Sequence, residues 1–293
     1  MNRRLFLQSA VLTAGIPTVF AKAGFLEGSM LWQDEDELLC KKKFEIAISK
    51  DWRTKPINEV VVEVGQTFLG TEYVANALEV PGEERLVVNM RGLDCVSFYE
   101  NALVIARCIK KNTMTFEDYK KELVFIRYRG GVIDGYPSRL HYTSDYIEDN
   151  DRKGVWKNVT KDLGGSPFVK TLNFMSTHPD QYRQIRESEK VKAMISAMEQ
   201  EISKRPMYYV PKDRVAAISE KLREGDIIGT TTDVEGIDTS HTGILVRQDG
   251  KLHFMHAPLA GKKVQISDRE FHDYLAANKR QTGIMVARPL EPV

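Results

Sequence analysis

The chain has 293 residues, of which 42% are hydrophobic and 28% charged, and its formal net charge is +1. That is the composition of an ordinary folded protein long enough to bury a large core, and it lacks the strong basic bias of nucleic-acid binders. No apolar run reaches the roughly 20 residues that span a bilayer, and there is neither an internal repeat nor a low-complexity tract.

The N-terminus, "MNRRLFLQSAVLTAGIPTVFAKAG", has a basic start, an apolar stretch from Leu5 to Phe20 and an Ala21-Lys22-Ala23 cleavage pattern. It reads as a signal peptide over residues 1–23, with a buried N-terminal helix as the alternative. "NRRLFLQ" resembles a twin-arginine export signal, with ordinary secretion as the other route. No cysteine follows the apolar stretch directly, so no lipid anchor is expected. Loss of Arg3, Arg4 and Lys22, with no acidic residue, takes the net charge from +1 to −2. The mature chain, 24–293, is expected to be one soluble domain in the periplasm or outside the cell, without a stable membrane anchor.

An oxidising compartment makes the three cysteines informative. Cys95 and Cys108 lie 13 residues apart on one predicted helix, roughly 20 Å along its axis, and cannot bond to each other. A Cys40–Cys108 pair is conceivable, and nothing in the sequence supports it. Cys95 is therefore the thiol expected to be free.

In chain order, residues 34–50 and 56–70 read as helices. The stretch after them, with Pro81-Gly82, reads as a loop. A helix opens near Asp94, with Val96, Tyr99, Leu103 and Ala106 on one face, and another covers 115–127. Residues 127–154, rich in Gly, Tyr, Asp and Arg, show no sustained period and read as a long irregular segment that binds something or moves. A further helix is predicted at 187–204. From Gly225 the pattern turns to short strands, with a hairpin through "RQDGK". Helices followed by a small antiparallel sheet make an α+β architecture.

Two features carry chemistry. Cys95 follows Asp94, a good N-cap, at a helix N-terminus. Unpaired amides and aligned peptide dipoles there favour a thiolate and could hold an oxyanion; a buried core cysteine is the plainer alternative. His241 in "SHTGILVR" and His256 in "LHFMHAP" lie either side of the Gln248-Asp249-Gly250 turn. One register makes them cross-strand neighbours on one face, so that His241 serves as base and His256 orients it. A zinc site built from Cys95, His241 and His256 lacks any CxxC, HExxH or HxH spacing; no metal or cofactor is expected.

"FLGTEYVANALE", "LDCVSFYENAL", "REGDIIG", "DTSHTGILV" and "FMHAP" resemble, in the same order, bacterial cell-wall cysteine amidases and peptidases of the NlpC type, within the papain-like superfamily. More specifically, they resemble an N-acetylmuramoyl-L-alanine amidase-like branch. The resemblance covers roughly residues 60–290. It implies a papain-like cysteine hydrolase fold acting on peptidoglycan or soluble muropeptides. It matches Cys95 to the nucleophile, His241 to the base, His256 to the third polar residue and Tyr73 to a tyrosine that shapes the oxyanion site. The family's common Asp-Cys-Ser-Gly is Asp-Cys-Val-Ser here. An insertion at about 127–215 departs from minimal members, and its "SRLHYTSDY" resembles a segment of the branch. Arg139, His141, Tyr142 and Asp145 are candidates there for substrate binding, or else ordinary surface. The expected reaction is cleavage of the amide between N-acetylmuramic acid and L-Ala. The alternatives are D-Glu–diamino-acid endopeptidase action and a non-catalytic wall-binding module.

Overall fold

The computed structural model describes residues 21–293, with side chains from residue 34 onward. The signal-peptide reading therefore falls almost wholly outside the described residues. No helix among them is long and apolar enough to cross a membrane. The chain divides between Glu35 and Asp36, and Asp36–Val293 is the unit that holds the cores and the sheet.

Helices come first: α1 (Ala21–Ser49) and α2 (Ile57–Gln66), a parallel pair of two-residue strands β1 (Glu72–Tyr73) and β2 (Gly92–Leu93), then α3 (Cys95–Lys111), α4 (Phe116–Arg127) and α5 (Thr143–Arg152). A mixed stretch comes next, with β3 (Trp156–Asn158), β4 (Ser166–Pro167), α6 (Phe174–Thr177), α7 (Arg183–Arg186), α8 (Glu189–Ser203), β5 (Tyr208–Pro211) and α9 (Lys212–Val215). The main strands close the chain: β6 (Ile227–Thr232), β7 (Thr239–Gln248), β8 (Lys251–His256), β9 (Gln265–Ile266), helix α10 (Phe271–Ala277) and β10 (Gln281–Pro289). The large sheet is antiparallel, ordered β4-β5-β10-β6-β7-β8-β9, with β3 added on β10. The expected α+β class is what forms, but the sheet is larger than a small one built from Gly225 onward, because β3, β4 and β5 come from the 127–215 segment and the short β9 adds an edge.

Both faces of the sheet are covered. Side chains alternate across a strand, so Ile244, Val246, Met255, Met285 and Ala287 pack with α1 to α4 in one core. Leu245, Phe254, Ile284 and Val286 pack with Phe271 and Leu275 of α10 in a second. This explains the near-continuous apolar runs in β7 and β10. Tyr136, Tyr142, Leu172, Met175, Ile185, Ile195 and Ile202 form a third core.

The segment 127–154 is not irregular throughout, since it contains α5. Its apolar period is hidden because α5 turns charge inward. Asp145 is fully buried and pairs with Arg129 (2.7 Å) and Arg205 (2.6 Å). Asp149 pairs with Lys153 (2.7 Å), and Asn150 Nδ2 donates to Ile126 O. Tyr146 donates to Glu100, a fully buried carboxylate that also takes Arg127 at 2.7 Å. Each buried charge is answered by a partner, the condition for tolerating it.

Arg139 belongs to the same pattern. It is 5% exposed, stacks on Tyr136 and pairs with Glu79 (2.7 Å) and Glu84 (3.4 Å). Arg139→Ala should therefore lower the free energy of unfolding by about 3 kcal/mol, since it strands buried Glu84 without its cation. Urea denaturation checks this; a loss below about 1 kcal/mol would mean the guanidinium is not a structural partner.

Candidate active site

Cys95 is the first residue of α3. Asp94 caps the helix, its Oδ1 accepting from the amides of Val96 (3.1 Å) and Ser97 (2.7 Å), while Ser97 Oγ accepts from the Asp94 amide (2.9 Å). This reciprocal capping box fixes the helix start, and gives Ser97 a structural task in place of the substrate contact its position suggests. The Cys95 amide is not among those the cap uses. Thr242 Oγ1, on β7, donates to Cys95 O at 2.9 Å, so the helix start is tied to the strand that carries His241. Among the described residues His241 Nε2 pairs with His256, and no hydrogen bond joins the thiol to His241.

Burial, then the neighbouring Asp94 carboxylate, push the Cys95 thiol up to about 11. The helix N-terminus alone favours a thiolate. Here burial and the cap's own negative charge oppose it. Cys40 and Cys108 are both buried and free, and burial raises each thiol.

The two histidines do meet. His241 Nε2 lies 2.7 Å from His256 Nδ1. The register that brings them together differs from the one read from sequence. Gln248 pairs with Lys251, leaving a two-residue turn at Asp249 (φ 49°) and Gly250 (φ 80°), the positive-φ geometry that Asp-Gly supplies. Leu245 then faces Phe254, and the continued register sets Gly243, not His241, opposite His256. The histidines are diagonal neighbours on one face, a spacing that rings can bridge. Gly243 makes room for this: a Cβ there would meet Met255 O at 2.6 Å and the Phe254 ring at 2.7 Å. The pairing of β6 with β7 also shifts between Thr230 and Thr231, beside His241, and such bulges re-aim side chains. Burial lowers His241 to about 4, and burial with the neighbouring His241 lowers His256 to about 3. Thiol and imidazoles are thus all neutral near pH 7.

Tyr73 arrives through β1, whose Tyr73↔Leu93 pairing places it beside the turn into α3. Gly92 allows the close approach, since a Cβ there would meet Val74 Cγ2 at 2.4 Å. Burial, then the charges of Cys95 and Asp94, raise the Tyr73 phenol to about 12. It keeps its proton and can donate.

Three residues that sequence reasoning passes over complete the site. Tyr274 of α10 sets its ring edge-on to His256, with its hydroxyl 3.5 Å from His256 Nδ1. Gln281 donates from Nε2 to Thr230 Oγ1 (2.9 Å). Thr230 Oγ1 in turn donates to His241 O (3.2 Å). A shelf of side chains thus supports the histidine pair from behind. Nothing in α10 or β10 as sequence marks these residues, because their contacts are long-range.

The four insertion candidates sit elsewhere in kind. Arg139 is spent on Glu79 and Glu84, and Asp145 on Arg129 and Arg205. Tyr142 donates to buried Glu199 (2.6 Å), and His141 holds Tyr136 O (3.0 Å) against the Tyr136 ring. Burial and Arg139 lower His141 to about 3. All four are engaged inside the fold, and none is brought to Cys95. Among the described residues no group of His, Cys, Asp and Glu is arranged to hold a metal ion.

The structure is similar to an N-acetylmuramoyl-L-alanine amidase from Bacteroides uniformis, at 34% identity and a TM-score of 0.76, covering 80% of this chain and 99% of that one. It is similar to a Bacteroides fragilis protein named a candidate xylanase, at 37% identity and a TM-score of 0.73, covering 77% and 99%. A Legionella pneumophila protein shares the fold at 18% identity and a TM-score of 0.68, covering 90% and 98%. No curated protein matches the chain. A family model matches residues 63–284, the stretch that carries Tyr73, Cys95, His241, His256, Tyr274 and Gln281, and by that match the chain belongs to the AmiA-like, N-acetylmuramoyl-L-alanine amidase-like family of cell-wall hydrolases.

Proposed function

We propose that this protein is an exported cysteine hydrolase of peptidoglycan or muropeptides, with a papain-like arrangement of the NlpC type, that cuts the amide between N-acetylmuramic acid and L-Ala. The observation that carries this reading is the 2.7 Å pair of His256 on β8 with His241 on β7, the strand whose Thr242 holds Cys95 O at the start of α3.

The chemistry follows from the proton inventory. His241 must donate from Nε2 to His256 Nδ1, which leaves His241 Nδ1 bare to act as base. It takes the thiol proton as Cys95 Sγ attacks the amide carbon. The tetrahedral oxyanion is held by the Cys95 amide and the Tyr73 hydroxyl. Collapse breaks the C–N bond, His241 returns the proton to the leaving amine, and a thioester remains. Water, deprotonated by His241, then releases the lactyl carboxylate and restores the thiol.

A sugar-cleaving reading, suggested by the name of the Bacteroides fragilis neighbour, needs two carboxylates across a glycosidic bond. Among the described residues at this site Asp94 is the carboxylate beside Cys95, and it is committed to capping α3. The branch assignment likewise favours the sugar–peptide amide over the D-Glu–diamino-acid bond. A pure binding module has no use for a paired base behind a thiol.

Digestion of a defined muropeptide, read by mass spectrometry, should release a free stem peptide beginning with L-Ala. Release of a sugar that keeps L-Ala–D-Glu would mean endopeptidase action instead. Cys95→Ala should abolish turnover, and His256→Ala should lower kcat by about 10²-fold or more, by unfixing the base. A His256→Ala enzyme of normal rate would remove His256 from the mechanism.

Because the resting thiol is neutral, iodoacetamide alkylation of the free enzyme should be slow at pH 7. It should keep rising with pH toward the raised thiol value of about 11. A rate already flat below pH 7 would instead reveal a preformed thiolate–imidazolium pair.

A further inference from the structure

In the proposed reaction, the group that leaves is a short peptide whose amine is protonated by His241. The departing peptide must therefore lie on the imidazole side of the thiol. That side is built in three layers: His241, then His256 behind it, then Tyr274, whose hydroxyl is 3.5 Å from His256 Nδ1. Tyr274 also forms a wall of an open depression of about 540 Å³, whose other lining residues are Asp268, Arg269, Ala277, Asn278, Lys279 and Arg280. Three of these are cationic and one is anionic. Arg280 is tied to Asp233 at 2.9 Å. No ion pair occupies the side chains of Arg269 and Lys279 among the described residues, and both are exposed.

The floor of the depression is fixed. Arg280 O accepts from the Asp233 amide (3.1 Å) and Thr232 Oγ1 (3.2 Å), and Gln281, next in the chain, donates to Thr230 Oγ1 (2.9 Å). A fixed loop presenting two unpaired cations beside the leaving-group side of a hydrolytic centre suits an anionic peptide.

We infer that this depression, between α10 and the start of β10, is a subsite for the free carboxylates of the leaving stem peptide, with Arg269 and Lys279 as the recognising cations. The inference rests on the proposed hydrolase chemistry. It moves substrate selection away from the 127–154 segment, whose Arg139 is already paired. A guanidinium takes a carboxylate through two parallel hydrogen bonds, whereas an ammonium acts as a point charge, so Arg269 sets geometry and Lys279 adds attraction.

The test is equilibrium binding of the free tripeptide L-Ala–γ-D-Glu–diamino acid to Cys95→Ala protein, by calorimetry. Adding Arg269→Ala and Lys279→Ala together should weaken binding by at least about tenfold, the size of one charge-assisted hydrogen bond. Arg269→Lys alone should weaken binding less than Arg269→Ala, because it keeps the charge and loses the bidentate geometry. A tripeptide with its carboxylates amidated should bind both proteins equally weakly, and the wild-type affinity should fall with added salt. Undiminished binding by the double alanine variant, or binding indifferent to amidation, would overturn the subsite. Muropeptide hydrolysis by the wild-type enzyme, followed in parallel, separates the two readings. Hydrolysis with charge-independent peptide binding sinks the subsite alone; charge-dependent binding without hydrolysis sinks the chemistry and leaves the subsite standing.

Discussion

The 2.9 Å hydrogen bond from Thr242 Oγ1 to Cys95 O joins the N-terminus of α3 to β7 at the residue next to His241. Thiol and imidazole come from distant parts of the chain, and neither is useful without a fixed separation from the other. Side chains alternate along a strand, so Thr242 faces α3 while His241 faces the other way. The strand grips the helix with Thr242 and carries His241 as the adjacent residue. The bulge in the pairing of β6 with β7, beside His241, falls where the strand must re-aim that base.

Around this joint the structure excludes Cβ atoms and commits polar groups. Gly243 leaves space for the Phe254 ring under the histidines, and Gly92 lets Val74 close over the turn into α3. The capping box of Asp94 and Ser97 consumes the polar groups nearest the thiol. One consequence is electrostatic: the carboxylate that starts the helix opposes the thiolate that the helix would stabilise. The proposed chemistry answers this by moving the thiol proton during attack, which needs a neutral, well-oriented imidazole. Burial keeps His241 neutral, and His256 Nδ1 lies 2.7 Å from its Nε2.

Much of this is legible in the sequence, and the failures share a cause. Cys95, its cap, the histidine pair and the α+β order follow from local patterns: a capping residue, strand alternation and an Asp-Gly turn. The histidine register reads two residues off, because setting His241 opposite His256 centres the hairpin between 248 and 249, whereas the two-residue Asp249-Gly250 loop centres it between 249 and 250. Helix α5 escapes detection because its inward face mixes Asp145, Asp149 and Asn150 with Tyr146 and Ile147, which blurs the hydrophobic periodicity. Arg139 looks like a free cation in sequence because nothing local reveals that Glu79 and Glu84 fold back onto it. Tyr274 and Gln281 stay hidden for the same reason, since their partners are distant in sequence.

The central claim is that Cys95 forms a covalent bond to the muramoyl side of the cleaved amide. Acid quenching of the wild-type enzyme during turnover of a defined muropeptide, followed by peptide mass spectrometry, tests it directly. The account predicts a transient adduct on the Cys95 peptide with the mass of the N-acetylmuramoyl acyl group, lost on treatment with hydroxylamine. An adduct carrying L-Ala–D-Glu, or an adduct on any other residue, would contradict it.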